Sequence, residues 1–99
     1  MHVITRKRLR EKAEIHPDFE TPAQLWYTRM KHCEATNLAE LRQTFGSADI
    51  VGNFTIFNVK GNDYRIATYI DYEHQKVFIR AVMTHAEYDE DKWKNDDWY

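Results

Sequence analysis

The chain lacks several sequence features that specialised folds require. It holds one cysteine in 99 residues, which excludes an internal disulfide, and His32 beside Cys33 lacks the spacing of a metal site. No apolar run approaches the roughly 18–20 residues of a membrane span, and the chain passes into Arg6-Lys7-Arg8 without the apolar stretch of a secretory signal. We therefore expect a soluble, cytoplasmic protein with no membrane association, no metal and no other cofactor.

Glycine and proline are also scarce, with three and two residues, so few positions break the regular structure. There is no internal repeat and no low-complexity segment. Hydrophobic residues make up 42% of the chain and aromatic residues 14%, which supplies enough apolar surface to fold without disulfide or metal staples. Because single domains run roughly 50–200 residues, we predict one small domain.

The formal net charge of −2 conceals an uneven distribution. The last 13 residues carry six acidic residues against two lysines, so the first 86 residues have a net charge of +2. The densest cationic stretch consists of Arg6, Lys7, Arg8, Arg10 and Lys12. This stretch fits two interpretations equally, the solvated face of a surface helix and a contact with a polyanion.

Helix boundary signals occur at two places in the first third of the chain. Thr5 is suited to cap a first helix that runs to about His16, because Pro17 cannot continue it. A second helix is predicted from an N-cap at Thr21, followed by proline at the first helical position, to about Cys33. Its spacing of apolar residues is typical of a stripe that packs into a core, formed by Leu25, Trp26, Met30 and Cys33.

A third, short helix is predicted to begin at Asn37, with Glu40 in the capping-box position and Gly46 at its end. Beyond it the apolar period changes from about 3.6 to 2. Residue preferences then predict strands over 54–59, 64–72 and 76–84, with His2–Ile4 as an additional edge strand. The short connections favour an antiparallel meander. The predicted fold class is α+β, with N-terminal helices packed on one face of a small antiparallel sheet.

Alternation along the strands predicts which side chains share a face. The helices would cover Tyr64, Ile66, Thr68, Ile70, Val77, Ile79, Ala81 and Met83, and the open face would carry Asn58, Arg65, Tyr69, Arg80, Val82 and Thr84. Two-residue turns would place Arg65 opposite both Asn58 and Thr84, and Tyr69 opposite Arg80. Cations on an exposed sheet also protect against aggregation, so this face alone leaves a structural interpretation open.

The segment after the last strand adds groups that transfer protons. His85, Glu87 and Tyr88 supply an imidazole, a carboxylate and a phenol within four residues, at the end of the sheet where Arg65 is expected. RNA cleavage without a metal requires a base for the ribose 2′-hydroxyl proton, cations for the developing charge and an acid for the leaving oxygen. A histidine after a strand is often purely structural, and the combination with two arginines is what favours a reactive site.

These residues resemble a known family. The similarity spans about residues 1–89 and is carried by Met1-His2-Val3-Ile4-Thr5, by residues 57–65 (Phe-Asn-Val-Lys-Gly-Asn-Asp-Tyr-Arg) and by residues 79–89 (Ile-Arg-Ala-Val-Met-Thr-His-Ala-Glu-Tyr-Asp). They are similar to the HigB-type toxins of bacterial type II toxin–antitoxin systems, within the RelE superfamily. The resemblance implies helices against a small antiparallel sheet and an endoribonuclease that cleaves mRNA, usually in the ribosomal A site. It also implies neutralisation by an antitoxin with a helix-turn-helix DNA-binding domain.

The resemblance also implies roles for individual residues. Arg65 and Arg80 would hold the phosphate, His85 and Tyr88 would belong to the acid–base segment, and Asn58 would support them. Many RelE relatives have lysines before the first active-site arginine, where this chain has only Lys60. The predicted substrate-binding residues are Asn58, Lys60, Tyr69 and Thr84, together with Arg6, Lys7 and Arg8, which would contact ribosomal RNA.

The predicted function is therefore a metal-independent mRNA interferase whose 2′-hydroxyl chemistry leaves a 2′,3′-cyclic phosphate. Its predicted partners are mRNA, the ribosome and a cognate helix-turn-helix antitoxin, with operator DNA reached only through that antitoxin. The alternative is a non-catalytic RNA- or protein-binding module on the same scaffold, which would use the same arginines without cutting RNA.

The similarity fades after Asp89. Residues 1–89 are therefore predicted to form the toxin domain, and residues 90–99, which we term the tail, form an acidic and aromatic extension. Two conformations of the tail remain open from sequence, a short helix that packs through Trp93 and a frayed end.

Overall fold

The computed structural model describes all 99 residues as helices packed against a five-stranded sheet. In chain order the elements are β1 His2–Ile4, α1 Lys7–Ile15, α2 Glu20–Lys31, α3 Leu38–Thr44, β2 Asp49–Val51, β3 Phe54–Val59, β4 Tyr64–Asp71, β5 Lys76–Thr84 and α4 His85–Asp89. Short 3-10 helices lie at Pro17–Phe19 and Lys92–Asn95. The predicted α+β class is confirmed. No helix has the length and apolar character needed to cross a membrane.

The sheet has the strand order β1-β5-β4-β3-β2. The meander β3–β4–β5 is antiparallel, and the predicted strands 54–59 and 76–84 are confirmed. The sheet is nevertheless mixed, because β1 pairs in parallel with β5 at one edge. The opposite edge is β2, a three-residue strand that the sequence did not indicate.

The helix starts follow the sequence signals in one case of three. Asn37 caps α3, because its side-chain oxygen accepts the backbone N–H of Glu40 at 2.9 Å. Thr5 does not cap α1 but has a positive φ of 71°, and α1 begins after Arg6. Thr21 does not cap α2 but lies inside it, because the 3-10 turn ending at the fully buried Phe19 continues directly into α2. Burial of that ring therefore outweighs the local capping preference.

The main core lies between the helices and one face of the sheet, which we term the helix face. Its largest fully buried side chains include Phe19, Met30, Leu41, Phe57 and Ile66. The predicted stripe of α2 is right for Trp26 and Met30, and Cys33 is also buried just after the helix. Leu25 is exposed, contrary to the prediction. The register of the helix on the sheet, not the apolar character of each residue, decides which side chains are covered.

A β-bulge in β5 changes which side chains share a face. Ala67 lies opposite Ala81 while Thr68 lies opposite Ile79, so Arg80 is an extra residue without a partner in the ladder. An extra residue reverses the alternation beyond it. As a result Val82 packs into the main core, the reverse of the prediction. Ala81 and Met83, also contrary to the prediction, lie on the face of the sheet opposite the helices, which we term the second face.

The observed pairing of β4 with β5 differs from the prediction. Asn58 lies opposite Arg65, as predicted. Tyr69 pairs with Phe78 instead of Arg80, because the connection from Asp71 to Lys76 is a four-residue turn and not the two-residue turn expected. The longer turn and the extra residue Arg80 together place Arg65 opposite Met83 instead of Thr84.

The second face is covered rather than open. The tail forms a 3-10 helix at Lys92–Asn95 and packs through Trp93, which settles the alternative left by the sequence. Trp93 belongs to a second buried cluster, completed by Phe54, Ile56, Ala67 and Met83. Its indole lies on Phe54 and Tyr88, with ring centroids 6.3 and 5.1 Å away. The arginine-bearing face is thus partly buried by the C-terminal ten residues.

Trp93 gives a stability prediction. Because its side chain is only 8% exposed and fills the second cluster, Trp93→Ala is expected to lower the free energy of unfolding by about 3–5 kcal/mol. Trp98→Ala, at a tail residue that is 40% exposed, is the matched control and is expected to cost about 1 kcal/mol. Urea denaturation measures both. A Trp93→Ala midpoint equal to that of the wild type would mean that the tail is not docked.

Candidate active site

The short helix α4 places the proton-transferring residues at the end of β5. Thr84 is its N-cap: the Thr84 hydroxyl accepts the backbone N–H of Glu87 at 3.2 Å, and the Glu87 carboxylate accepts the backbone N–H of Thr84 at 2.8 Å. Lys12 from α1 donates to Glu87 at 2.8 Å, and this bond is the main reason that the pKa of Glu87 lies below its usual value. The capping box and the ion pair together hold α4 against α1.

Arg65 on β4 is the anchored cation of the site. Its NH1 group donates to the carbonyl oxygens of Asn62 and Tyr64 at 3.0 and 3.2 Å. Its NH2 group donates to Nδ1 of His85 at 3.2 Å. The residue is only 7% exposed, so the expectation of an exposed Arg65 is wrong. The tail and α4 produce this burial by covering the second face.

His85 is held at both ring nitrogens. Arginine has no acceptor atom, so Nδ1 must accept the hydrogen bond from Arg65. In the neutral ring the hydrogen is therefore carried by Nε2. Nε2 lies 3.2 Å from Oδ2 of Asp89, one turn along α4. The backbone N–H of His85 donates to the carbonyl of Asp63 at 2.9 Å, which fixes the start of α4 to the β3–β4 turn. The ring is half-exposed and therefore accessible to a substrate.

Tyr88 lies beside this pair. The Arg65 guanidinium carbon is 5.3 Å from the Tyr88 ring centroid, a cation–π distance. The Trp93 indole is stacked on the Tyr88 ring at an interplanar angle of 12°, and its Nε1 donates to the Tyr88 carbonyl at 2.9 Å. The structure therefore brings three of the four predicted catalytic residues together, Arg65, His85 and Tyr88.

Arg80, the fourth predicted catalytic residue, has different partners. Its Nε and NH2 donate to the two carboxylate oxygens of Asp96 at 3.0 and 2.9 Å. The guanidinium carbon lies 3.8 Å from the ring centroid of Trp98. The Arg80 hydrogen bond is the main reason that the pKa of Asp96 lies below its usual value, and the charge of Arg8 on α1 adds to it. Arg80 makes no hydrogen bond with Arg65, His85 or Tyr88.

The predicted binding residues on the sheet divide into two groups. Asn58 is exposed opposite Arg65, and Tyr69 is exposed with its ring edge-on to Trp98 at 5.7 Å. Lys60 is instead engaged by Asp18, with Nζ 2.8 Å from Oδ2, and this hydrogen bond is the main reason that the pKa of Lys60 is raised. Thr84 uses its hydroxyl for the helix cap described above.

The basic segment of α1 does not present one uniform surface. Arg6 places its guanidinium carbon 3.8 Å from the ring centroid of Tyr27 on α2. Lys12 reaches α4, and the charge of Arg8 contributes to the lowered pKa of Asp96. Arg8 and Lys12 are four residues apart and therefore share one side of α1. Lys12 on that side contacts the candidate site, and the side chains of Arg6, Lys7 and Arg8 are all exposed.

Comparison with known proteins identifies the family. The model of the HigB toxin family, described as the RelE-like toxic component of a toxin–antitoxin system, matches residues 19–91. The mRNA interferase toxin HigB of Escherichia coli K12 is 35% identical over 92 residues, which cover 90% of this chain and 88% of the relative. The mRNA interferase HigB of Escherichia coli O6:H1 (strain CFT073) is 26% identical over 90% of this chain and 89% of the relative. The chain belongs to the HigB family of RelE-like toxins.

Two acidic side chains of this HigB-family site were missed from the sequence. Asp89 follows His85 by four residues on α4, and that i,i+4 spacing is a usable signal. Asp96 had no such signal, because it meets Arg80 only through the packing of the tail on the sheet. No cluster of three or more His, Cys, Asp or Glu side chains is arranged to hold a metal ion.

Proposed function

We propose that this protein stops translation by cutting mRNA on the ribosome, through attack of a ribose 2′-hydroxyl on the adjacent phosphate. Family membership makes the chain a RelE-like toxin, and a 35% identical relative is an mRNA interferase. The chain is accordingly an endoribonuclease toxin. The observation that carries the chemical proposal is the hydrogen bond from Arg65 to His85, which places a fixed cation beside an imidazole.

In the proposed step the 2′-oxygen bonds to phosphorus as the bond from phosphorus to the 5′-oxygen breaks. The products are a 2′,3′-cyclic phosphate and a 5′-hydroxyl. One proton leaves the 2′-hydroxyl for a base and one reaches the 5′-oxygen from an acid, so the step balances without a co-reactant. His85 makes one of these transfers, because an imidazole ring can both accept and donate a proton.

Arg65 provides the charge at this centre. Its NH1 group is held by two carbonyls, and its NH2 group, directed at His85, remains as the donor for a phosphate oxygen. When NH2 turns to the phosphate, Nδ1 of His85 is released as an acceptor. Arg80 supplies a second cation for the developing charge. Trp93 already stacks on one face of the Tyr88 ring, so that face is not available to stack on an RNA base. We therefore assign the Tyr88 hydroxyl to proton transfer.

We also propose how the RNA and the partners are bound. Asn58 and Tyr69 lie exposed on the second face, and Lys60 and Thr84 flank it at the β3–β4 turn and the end of β5. The basic segment Arg6–Arg8 would contact ribosomal RNA. The partner would be a helix-turn-helix antitoxin that acts in the cytoplasm and links the complex to operator DNA.

Induction in bacteria tests the proposal. Expression of the chain alone is expected to arrest growth, and co-expression of the protein encoded by the adjacent gene is expected to restore it. Mapping the 5′ ends of a reporter mRNA is expected to show cuts when ribosomes are present and none when they are omitted. Equal cutting without ribosomes would refute ribosome dependence, and growth arrest without any RNA cleavage would favour the non-catalytic alternative.

A further inference from the structure

The pair formed by Arg80 and Asp96 joins residues 16 positions apart in a largely dry setting. The side chains are 23% and 17% exposed, and both carboxylate oxygens accept from the guanidinium. The Asp96 carboxylate also accepts the backbone N–H of Trp98 at 2.8 Å, which fixes its own orientation. The Trp98 indole then covers one face of the guanidinium. Arg80 is thus held along one edge and across one face.

The tail that carries Asp96 is anchored on both sides of it. On one side, Trp93 is buried in the second cluster. On the other, the carbonyl of Tyr99 accepts from the Asn53 side chain at 2.9 Å, and its ring packs on Phe54. Gly52, with a φ of +61°, admits this ring, since a Cβ there would lie 2.6 Å from Cε1 of Tyr99. Asp96 is therefore held in place by the folded tail beside Arg80 and does not lie on a mobile chain end.

The donor geometry leaves Arg80 able to bind an anion. A guanidinium carries five N–H donors, and Asp96 takes Nε–H and one hydrogen of NH2. The other NH2 hydrogen and the NH1 group form the terminal edge, which matches two oxygens of a phosphate. An unrestrained arginine loses rotamer freedom on binding, and prior restraint reduces that entropic cost.

We propose that Asp96 is a positioning residue that presents the terminal edge of Arg80 to a phosphate of the RNA. This inference rests on the proposed function, because it requires Arg80 to act on the substrate. Asp96 itself touches no substrate. The opposite possibility is that the Asp96 carboxylate occupies the phosphate position and inhibits the enzyme. The two predict effects of opposite sign when the carboxylate is removed.

Kinetics of the full chain on an RNA that it cleaves, ribosome-bound if required, test the inference. Asp96→Asn and Asp96→Ala are expected to lower kcat/KM about 10- to 100-fold, in line with the cost of misplacing a catalytic group. Asp97→Asn is the matched control, because Asp97 is the exposed neighbouring carboxylate and makes no hydrogen bond. It is expected to keep the wild-type rate, so that a fall specific to Asp96 cannot be an effect of net charge.

A double-mutant cycle distinguishes positioning from a general structural effect. If Asp96 acts through Arg80, Arg80→Ala and the double variant Arg80→Ala/Asp96→Ala should have equal rates. Multiplicative losses, a faster Asp96→Asn enzyme or an Asp96→Ala enzyme at the wild-type rate would each overturn the inference. A wild-type rate for Arg80→Ala would overturn the proposed role of Arg80 itself, which is a different failure. Melting temperatures establish that each variant is folded, and Asp96→Asn, the closest in shape, replaces Asp96→Ala if that variant unfolds.

Discussion

Replacing His85 with alanine is expected to slow RNA cleavage by about 100- to 10,000-fold, the range associated with loss of a general acid or base. The imidazole contacts both Arg65 and Asp89, so its loss removes a proton carrier at the point where the cation is fixed. Single-turnover cleavage of a reporter RNA measures this loss.

His74→Ala provides a matched control for this experiment. His74 also pairs with an aspartate, Asp71, at 2.9 Å, but it lies in the exposed β4–β5 turn. Its replacement is expected to leave the rate unchanged. A folded His85→Ala protein with the wild-type rate would remove His85 from the chemistry.

The nature of the nucleophile is tested on the same site. Substituting 2′-deoxyribose at the cleaved nucleotide should abolish cutting there, because the attacking group is absent while the base and phosphates remain. The products of intact RNA should carry a 2′,3′-cyclic phosphate and a 5′-hydroxyl. A 5′-phosphate on the downstream fragment would show that another nucleophile, such as water, attacks.

Arg65→Ala is expected to lower cleavage by about 100-fold or more, as for removal of a donor that stabilises transition-state charge. Because Arg65 is buried and donates to two carbonyls, the same change should also lower the free energy of unfolding by about 1–3 kcal/mol. This is more than the sequence suggested, since an exposed cation would have cost less than about 1 kcal/mol. Cleavage rate and denaturation midpoint must therefore be measured together.

Two further variants distinguish the loss of the Arg65 charge from a loss of stability. Arg65→Lys keeps the positive charge but loses the fork of donors, so an intermediate rate is expected. Arg42→Ala removes an arginine that also donates to a backbone carbonyl, that of Ala48, but lies on α3 away from the site. It should reduce stability without reducing the rate of the folded enzyme. Wild-type cleavage by folded Arg65→Ala would eliminate the proposed site.

Features that depend on neighbouring residues could be predicted from the amino-acid sequence. The bounds of β3 and β5, the cap at Asn37 and the pairing of Asn58 with Arg65 follow from side-chain alternation, a local hydrogen bond and a short turn. The placement of His85 near Arg65 follows from the antiparallel pairing of β4 with β5, because a meander returns the end of one strand to the start of the previous one. These relations extend over few residues and need little knowledge of the remaining fold.

Features that depend on long-range packing could not be predicted from local sequence and are visible only in the folded chain. The extra residue at Arg80 reverses the faces of Ala81, Val82 and Met83, and no composition signal marks a bulge of this kind. Burial of Phe19 replaces the cap expected at Thr21. Docking of the tail covers the arginine-bearing face and pairs Arg80 with Asp96. Each outcome is a competition between a local preference of about 1 kcal/mol and the burial of a large side chain, which contributes roughly 1.5–3 kcal/mol and depends on the whole fold.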